Sequence, residues 1–150
     1  MVNCLFPLTD PLAEAVPTRD ELEAVYRRTA YHAELAGTTY DLRIGSVHPQ
    51  LDAWLSQHGL RTWAFLTAWN PGSQRLGEDE NRRRQAALQA CVAAAGLPAF
   101  PGVGALDDWK EESLLIVGLS QEQAYTWARK FGQAAFLWGE PGRPAALLWT

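Results

Sequence analysis

Seven polar residues and two tryptophans are the candidates for a binding site in this sequence. They lie at the end of residues 61–69, follow this segment or face it. The segment has the length of a strand, and both of its alternating faces are largely apolar. That pattern predicts a central strand covered on both sides. Because ligands of open α/β sheets bind beyond the carboxyl ends of strands, we expect a pocket there for a small polar or anionic ligand. The candidates are Asn70, Ser73, Gln74, Asn81, Arg84, Glu112, Gln133, Trp69 and Trp138.

Asn81 and Arg84 are singled out by their place on a predicted helix over residues 78–95. Stepping back by three and four residues from the apolar stripe that holds Leu88 and Val92 reaches both of them. A polar side chain on the core side of a helix needs hydrogen-bond partners. Either Asn81 ties the preceding turn together, or both residues face a polar pocket. In either case we expect Asn70 and Asn81 to lie close together.

The expectation of an anionic, nucleotide-like ligand rests on Arg84 and on the turn before the helix. Asn70-Pro71-Gly72-Ser73 is a turn sequence that leaves backbone N–H groups free. The N-terminus of the following helix favours an anion, and an arginine on its inner stripe offers a bidentate partner for phosphate or carboxylate. Glu112 acts as a base or holds Arg84 in place, and both roles stay open.

The remaining charged residues form two clusters. Arg82 and Arg83 stand four residues after Glu78 and Asp79, which favours ion pairs on a solvated helix face over a nucleic-acid contact. Asp107, Asp108, Glu111 and Glu112 either bind Mg²⁺, serve as acid and base, or belong to a solvated loop.

Other cofactor and metal sites are not predicted. The three histidines, His32, His48 and His58, lack metal-ligand spacing. A P-loop, a dinucleotide fingerprint and a nucleophile elbow are missing from the sequence, so we expect no cofactor and leave open whether the protein is an enzyme.

Length and composition describe one ordinary globular domain over residues 1–150. The chain is 47% hydrophobic and 20% charged, with a formal net charge of −4. Its acidity argues against nucleic acid as a partner. No apolar run reaches the length of about 18 residues that spans a bilayer, and the N-terminus does not resemble a signal peptide. A cytoplasmic protein without membrane contact is therefore expected.

The patterns predict four helices and five to six strands. Together they indicate an α/β (α+β) fold, a two- or three-layer sandwich on a mixed sheet. Residues 1–17 form an N-terminal arm, and a capping box at Thr18 and Glu21 opens the first helix. The predicted helices cover residues 18–36, 46–58, 78–95 and 120–131, and the predicted strands cover 38–44, 61–69, an edge strand within 98–108, 113–119, 134–138 and 145–149.

The seven tryptophans admit two interpretations. In the first, most of them lie in the core. The residues predicted to be buried are Trp63, Leu66, Leu115, Val117, Trp127 and Phe131. Alternatively, exposed tryptophans serve as anchors of a non-catalytic module that binds a protein partner.

Several motifs together resemble a bacterial family, the domain of unknown function 3293. They are residues 64–73, Glu80-Asn81 with Arg84, residues 109–113, Phe131-Gly132-Gln133 and Trp138-Gly139-Glu140. The resemblance covers roughly residues 61–140 and implies a cytoplasmic bacterial protein without an assigned activity. Asn70-Pro71-Gly72 also resembles the first motif of mismatch-specific uracil-DNA glycosylases, in which the Asn would position the attacking water. A second glycosylase motif is not evident near the C-terminus, and the net charge is acidic.

Overall fold

The computed structural model describes residues 17–150, so the predicted arm lies outside the described residues except for Pro17. Four helices occur in this part of the chain: α1 (Arg19–Arg28), α2 (Pro49–Gln57), α3 (Glu78–Ala94) and α4 (Gln121–Lys130). The strands are β1 (Ala30–Leu35), β2 (Thr38–Leu42), β3 (Trp63–Leu66), β4 (Ala99–Leu106), β5 (Trp109–Val117), β6 (Ala135–Gly139) and β7 (Ala146–Trp149).

The seven strands form one sheet in the order β2-β1-β4-β5-β3-β6-β7, and every neighbouring pair is antiparallel. The α+β class with four helices is confirmed, but the sheet has more strands than expected. It is also not mixed. The crossover from β3 through α3 leads to β4, which runs parallel to β3 but is not its neighbour. β5 lies between β3 and β4 and is antiparallel to both.

The middle of the chain forms a β-α-β-β-α-β unit. β3, α3 and β4 make one split βαβ unit, and β5, α4 and β6 make a second one that interleaves with it. This connectivity is the ferredoxin-like arrangement, which hosts many unrelated functions and assigns none. It brings the carboxyl end of β3 beside the first residues of α3 and β5.

The sheet is covered by helices on both faces, so the sandwich has three layers. On one face α3 and α4 pack Leu88 and Trp127 against the sheet. On the other face α1 and α2 bury Tyr26, Leu51 and Leu55. The six residues predicted to be core are all buried, and β3 and β5 lie at the centre of the sheet as predicted.

The predicted first helix is wrong beyond Arg28. Its capping box forms as expected, but the chain turns extended at Thr29 and continues as β1. Tyr31, Ala33 and Leu35 are buried while the residues between them are exposed, and this two-residue period decides for a strand. Gly37 does adopt a left-handed conformation, with φ +80°, but in the hairpin turn between β1 and β2 rather than at a helix end.

Two strands differ from prediction in ways that shape the site. β4 is an interior strand between β1 and β5, not an edge strand. β5 begins at Trp109, four residues before the predicted start, so Glu111 and Glu112 are strand residues that point to opposite faces. This extension determines which carboxylate is buried.

Candidate functional site

A cleft with a cavity volume of about 490 Å³ opens at the carboxyl end of β3. Trp69 and Asn70 border it from the segment after that strand, Asn81 from the first turn of α3, and Trp109 and Glu111 from the start of β5. We call it the Trp69–Trp109 cleft. It lies at the position in the sheet where the sequence predicts a pocket.

Asn70 and Asn81 form a reciprocal pair at the base of the cleft. The Asn70 backbone N–H donates to Asn81 Oδ1 at 2.9 Å, and Asn81 Nδ2 donates to Asn70 Oδ1 at 3.0 Å. Asn70 Oδ1 also accepts from the backbone N–H of Leu76 at 2.9 Å. Asn70 is left-handed, with φ 48°, a conformation that Asn tolerates better than most residues. The predicted proximity of the two residues is therefore confirmed.

Glu111 is the buried carboxylate of the site, with a relative exposure of 0%. Its Oε1 accepts from Asn70 Nδ2 and from the Trp109 indole Nε1, each at 3.0 Å. Such charge-assisted hydrogen bonds are what a carboxylate needs when it leaves water. One polar network therefore connects α3, the turn after β3, and β5.

Glu112, the carboxylate predicted to point into the site, borders the cleft but is exposed. Its backbone oxygen accepts from the Thr67 hydroxyl at 2.6 Å. The alternation that buries Ser113 and Leu115 also buries Glu111, two residues before Ser113, and places Glu112 on the opposite face. If the strand had been predicted to start at Trp109 instead of residue 113, the alternation would have indicated that Glu111 is buried and Glu112 is exposed.

Arg84 and Gln133 lie behind the turn and do not border the cleft. Arg84 Nε donates to the Ala68 carbonyl at 2.9 Å and Arg84 Nη2 to the Phe131 carbonyl at 2.8 Å. Gln133 Nε2 donates to the Trp69 carbonyl at 3.0 Å. Both side chains join the end of β3 to the segment after α4.

We expect Arg84→Ala to lower the free energy of unfolding by about 2–3 kcal/mol, because two backbone carbonyls lose a charged donor. Arg84→Lys should give an intermediate loss, since one ammonium does not reproduce the fork of a guanidinium. Denaturant unfolding measures both. Arg82→Ala and Arg83→Ala are matched controls on exposed positions of the same helix, expected within about 0.5 kcal/mol of the parent. An equally small effect of Arg84→Ala would contradict the structural role.

Gln85 is a further buried polar residue of α3, and it is not among the residues predicted from the sequence. Its Oε1 accepts from the backbone N–H of Ala68 at 2.9 Å, and the side chain is buried. It lies one turn after Asn81 on the same stripe of α3. The polar part of that stripe therefore contains Gln85 as well as Asn81 and Arg84.

The other predicted site residues are dispersed. Gln74 is exposed and does not border the cleft. Trp138 is buried in the core under α3 and α4 and borders a different cavity, with Gln121. Ser73 lies in the short 3₁₀ turn Pro71–Ser73, and its side chain is outside what the structure describes.

The lining of the cleft is acidic overall. Its charged residues are the carboxylates Glu78, Asp108, Glu111 and Glu112 and the cations Arg75 and Lys110. The Arg75 guanidinium carbon lies 4.0 Å from the centroid of the Trp109 ring, a cation–π stack. Arg84, the cation expected to bind an anion, is engaged elsewhere.

Two buried tyrosines lie near Glu111 in the core. Burial is the largest cause that raises the pKa of both Tyr26 and Tyr31, and the negative charge of Glu111 raises the pKa of both further. The Tyr31 hydroxyl donates to the Tyr26 carbonyl at 2.9 Å. Both phenols are therefore protonated at neutral pH and do not serve as bases.

Three features are absent from residues 17–150: a cluster of metal ligands, a membrane-spanning helix and an exposed tryptophan. No group of three or more His, Cys, Asp or Glu side chains is arranged to hold a metal ion. None of the four helices is both long and apolar enough to cross a bilayer. All seven tryptophans fall in this part of the chain, and none of them is exposed.

Part of the chain is similar to a known protein family. Residues 66–136 match the family model described as "Protein of unknown function (DUF3293)". No curated protein and no solved structure matches the chain. The matched segment runs from the end of β3 into β6 and contains the Asn70–Asn81–Glu111 network. In the segment that builds the cleft, the chain therefore resembles the DUF3293 family.

Proposed function

We propose that the Trp69–Trp109 cleft binds a small polar molecule that carries a planar hydrogen-bonding group. The observation that carries the proposal is the buried Glu111 carboxylate, fixed beside the cleft by Asn70 and Trp109. A few fixed polar groups beside aromatic walls are typical of small-molecule sites.

The dimensions and walls of the cleft support this proposal. Its volume of about 490 Å³ falls in the range of known ligand pockets, about 300–1,000 Å³. Trp69 and Trp109 provide flat apolar surfaces that suit a planar ring. Trp69 borders the cleft, and its indole N–H is buried without an acceptor in residues 17–150.

The sequence predicts a polar or an anionic ligand, and the charge of the cleft lining favours the polar one. A phosphate in the cleft would face Asp108, Glu111 and Glu112, with only Arg75 and Lys110 to offset them. A ligand whose planar group is uncharged or positively charged avoids that repulsion. The resemblance to DUF3293 is the basis for expecting a bacterial, cytoplasmic setting.

The two alternative functions have less support. An interaction module that uses tryptophan anchors needs exposed tryptophans, and all seven are buried or half-buried. A glycosylase-like role needs an Asn side chain that is free to position water. The Asn70 amide instead has three hydrogen bonds inside the fold and an exposure of 1%.

A blocking experiment tests the proposal. Val103 borders the cleft and Val47 does not, and they are the exposed large hydrophobic residues of the described chain. Val103→Cys and Val47→Cys are made in a chain whose own cysteines, Cys4 and Cys91, are changed to Ser. Each variant is then alkylated with a bulky maleimide.

Adenosine, cytidine and nicotinamide are the probes, with AMP as the phosphate-bearing counterpart of adenosine. We expect at least one uncharged probe to shift the indole N–H resonances of Trp69 and Trp109, AMP to bind more weakly than adenosine, and only the label at position 103 to abolish the shifts. Binding that survives this label would contradict a ligand site in the cleft, and the absence of a shift with every probe would contradict an uncharged ligand.

A further inference from the structure

We infer that the planar group recognised in the cleft is a cation of the guanidinium or amidinium type. This inference rests on the proposed function and specifies its ligand class. Its basis is that the chain's own Arg75 already occupies the face of Trp109, the aromatic surface that a ligand would use.

The Arg75 stack shows which chemistry the Trp109 face accepts. The guanidinium carbon lies 4.0 Å above the ring, well inside the distance of about 6 Å for cation–π attraction. Arg75 forms no ion pair within residues 17–150 and lies between the 3₁₀ turn and α3. An exposed side chain held by a ring contact alone is displaced at little cost. A ligand guanidinium then takes the same place.

Carboxylates around the platform complete a site for a planar cation. Asp108 and Glu112 border the cleft, and neither forms an ion pair within the described residues. The Glu111 carboxylate lies at the N–H edge of the Trp109 indole, whose Nε1 donates to it at 3.0 Å. A carboxylate hydrogen-bonded to the edge of an indole increases electron density on the ring face and strengthens its attraction for a cation. Guanidinium and amidinium also present the paired N–H donors that carboxylates accept.

The test compares three probes of nearly one shape: benzamidine, a cation; benzamide, its neutral counterpart; and benzoate, an anion. Each is titrated into the full chain while the Trp109 indole N–H resonance is followed by NMR. We expect benzamidine to bind at least tenfold more tightly than benzamide, and benzoate to bind most weakly. High salt should weaken only the binding of benzamidine.

Two variants separate the inference from simple surface charge. Arg75→Ala removes the competing guanidinium and should tighten benzamidine binding about three- to tenfold. Arg129→Ala is the matched control, since Arg129 stacks on Tyr125 outside the cleft, with its guanidinium carbon 5.1 Å from the ring centroid, and its loss should leave the affinity unchanged. Asp108→Asn combined with Glu112→Gln should weaken benzamidine binding to the level of benzamide.

The outcomes distinguish this inference from the proposed function. Equal affinity for benzamidine and benzamide, or preference for benzoate, would overturn the cation assignment and leave a polar ligand site in place. No effect of Arg75→Ala on benzamidine affinity would overturn the role of the Trp109 face. Failure of all three probes to bind the parent and the Arg75→Ala chain would contradict both proposals.

Discussion

Asn70→Asp should lower the free energy of unfolding by about 3 kcal/mol or more at neutral pH. The aspartate fits the space, tolerates the left-handed backbone, and still accepts from Leu76 and Asn81. What changes is the contact with Glu111. A donor at 3.0 Å is replaced by a second buried carboxylate at the same distance.

The dependence on pH identifies the cause. Two carboxyl groups in such contact share one proton, so the folded variant binds a proton that its unfolded chain releases above a pKa of about 4. Such a group contributes stability that is present below the unfolded pKa and is lost as pH rises through the folded pKa. The deficit of the variant against the parent should therefore shrink between about pH 7 and pH 4.5.

Adding Glu111→Gln to Asn70→Asp is the control, because it returns a donor to the pair. Denaturant unfolding of the double variant at neutral pH should recover part of the loss. A deficit that does not change with pH, or a double variant no more stable than Asn70→Asp alone, would mean that repulsion at Glu111 is not responsible.

The sequence contains enough information to place the cleft but not to choose its residues. The apolar run before Asn70 predicts a central strand, and the polar stripe of the next helix predicts that Asn81 meets the turn. Both follow from local periodicity. The contacts of Arg84 depend on where the segment after α4 packs. The face of Glu112 follows from the start of β5 at Trp109, which depends on the pairing of β5 with β4.

The errors in the fold have the same origin. The capping box correctly predicts the start of α1. The predicted helix, however, continues through residues 30–35, where exposed and buried positions alternate. β1 is a strand because Tyr31, Ala33 and Leu35 fill the core beside β4, a pairing between residues about 70 apart in sequence. Local patterns predict that a strongly periodic element exists more reliably than where it begins or which partner it pairs with.

Gly139→Ala should lower the free energy of unfolding by about 3 kcal/mol, although a single methyl group is added. In the sequence Gly139 looks like the first residue of the turn between the last two strands. In the structure it is the last residue of β6, directly opposite Trp63 of β3. A Cβ at this position would lie 2.0 Å from both Nε1 and Cε2 of the Trp63 indole. That ring is 1% exposed and packs edge-on against His48, so it has no free space to move into.

The expected loss corresponds to a melting temperature roughly 6–12 °C lower, since about 1 kcal/mol shifts a domain of this size by roughly 2–4 °C. Gly77→Ala is the matched control. Gly77 also has an ordinary backbone conformation, and a Cβ there meets nothing within 4 Å, so we expect about 1 kcal/mol or less. In a double-mutant cycle, Trp63→Leu should absorb part of the Gly139→Ala penalty by making room for the methyl group. Additive losses would show that the penalty arises from the strand backbone rather than from the indole.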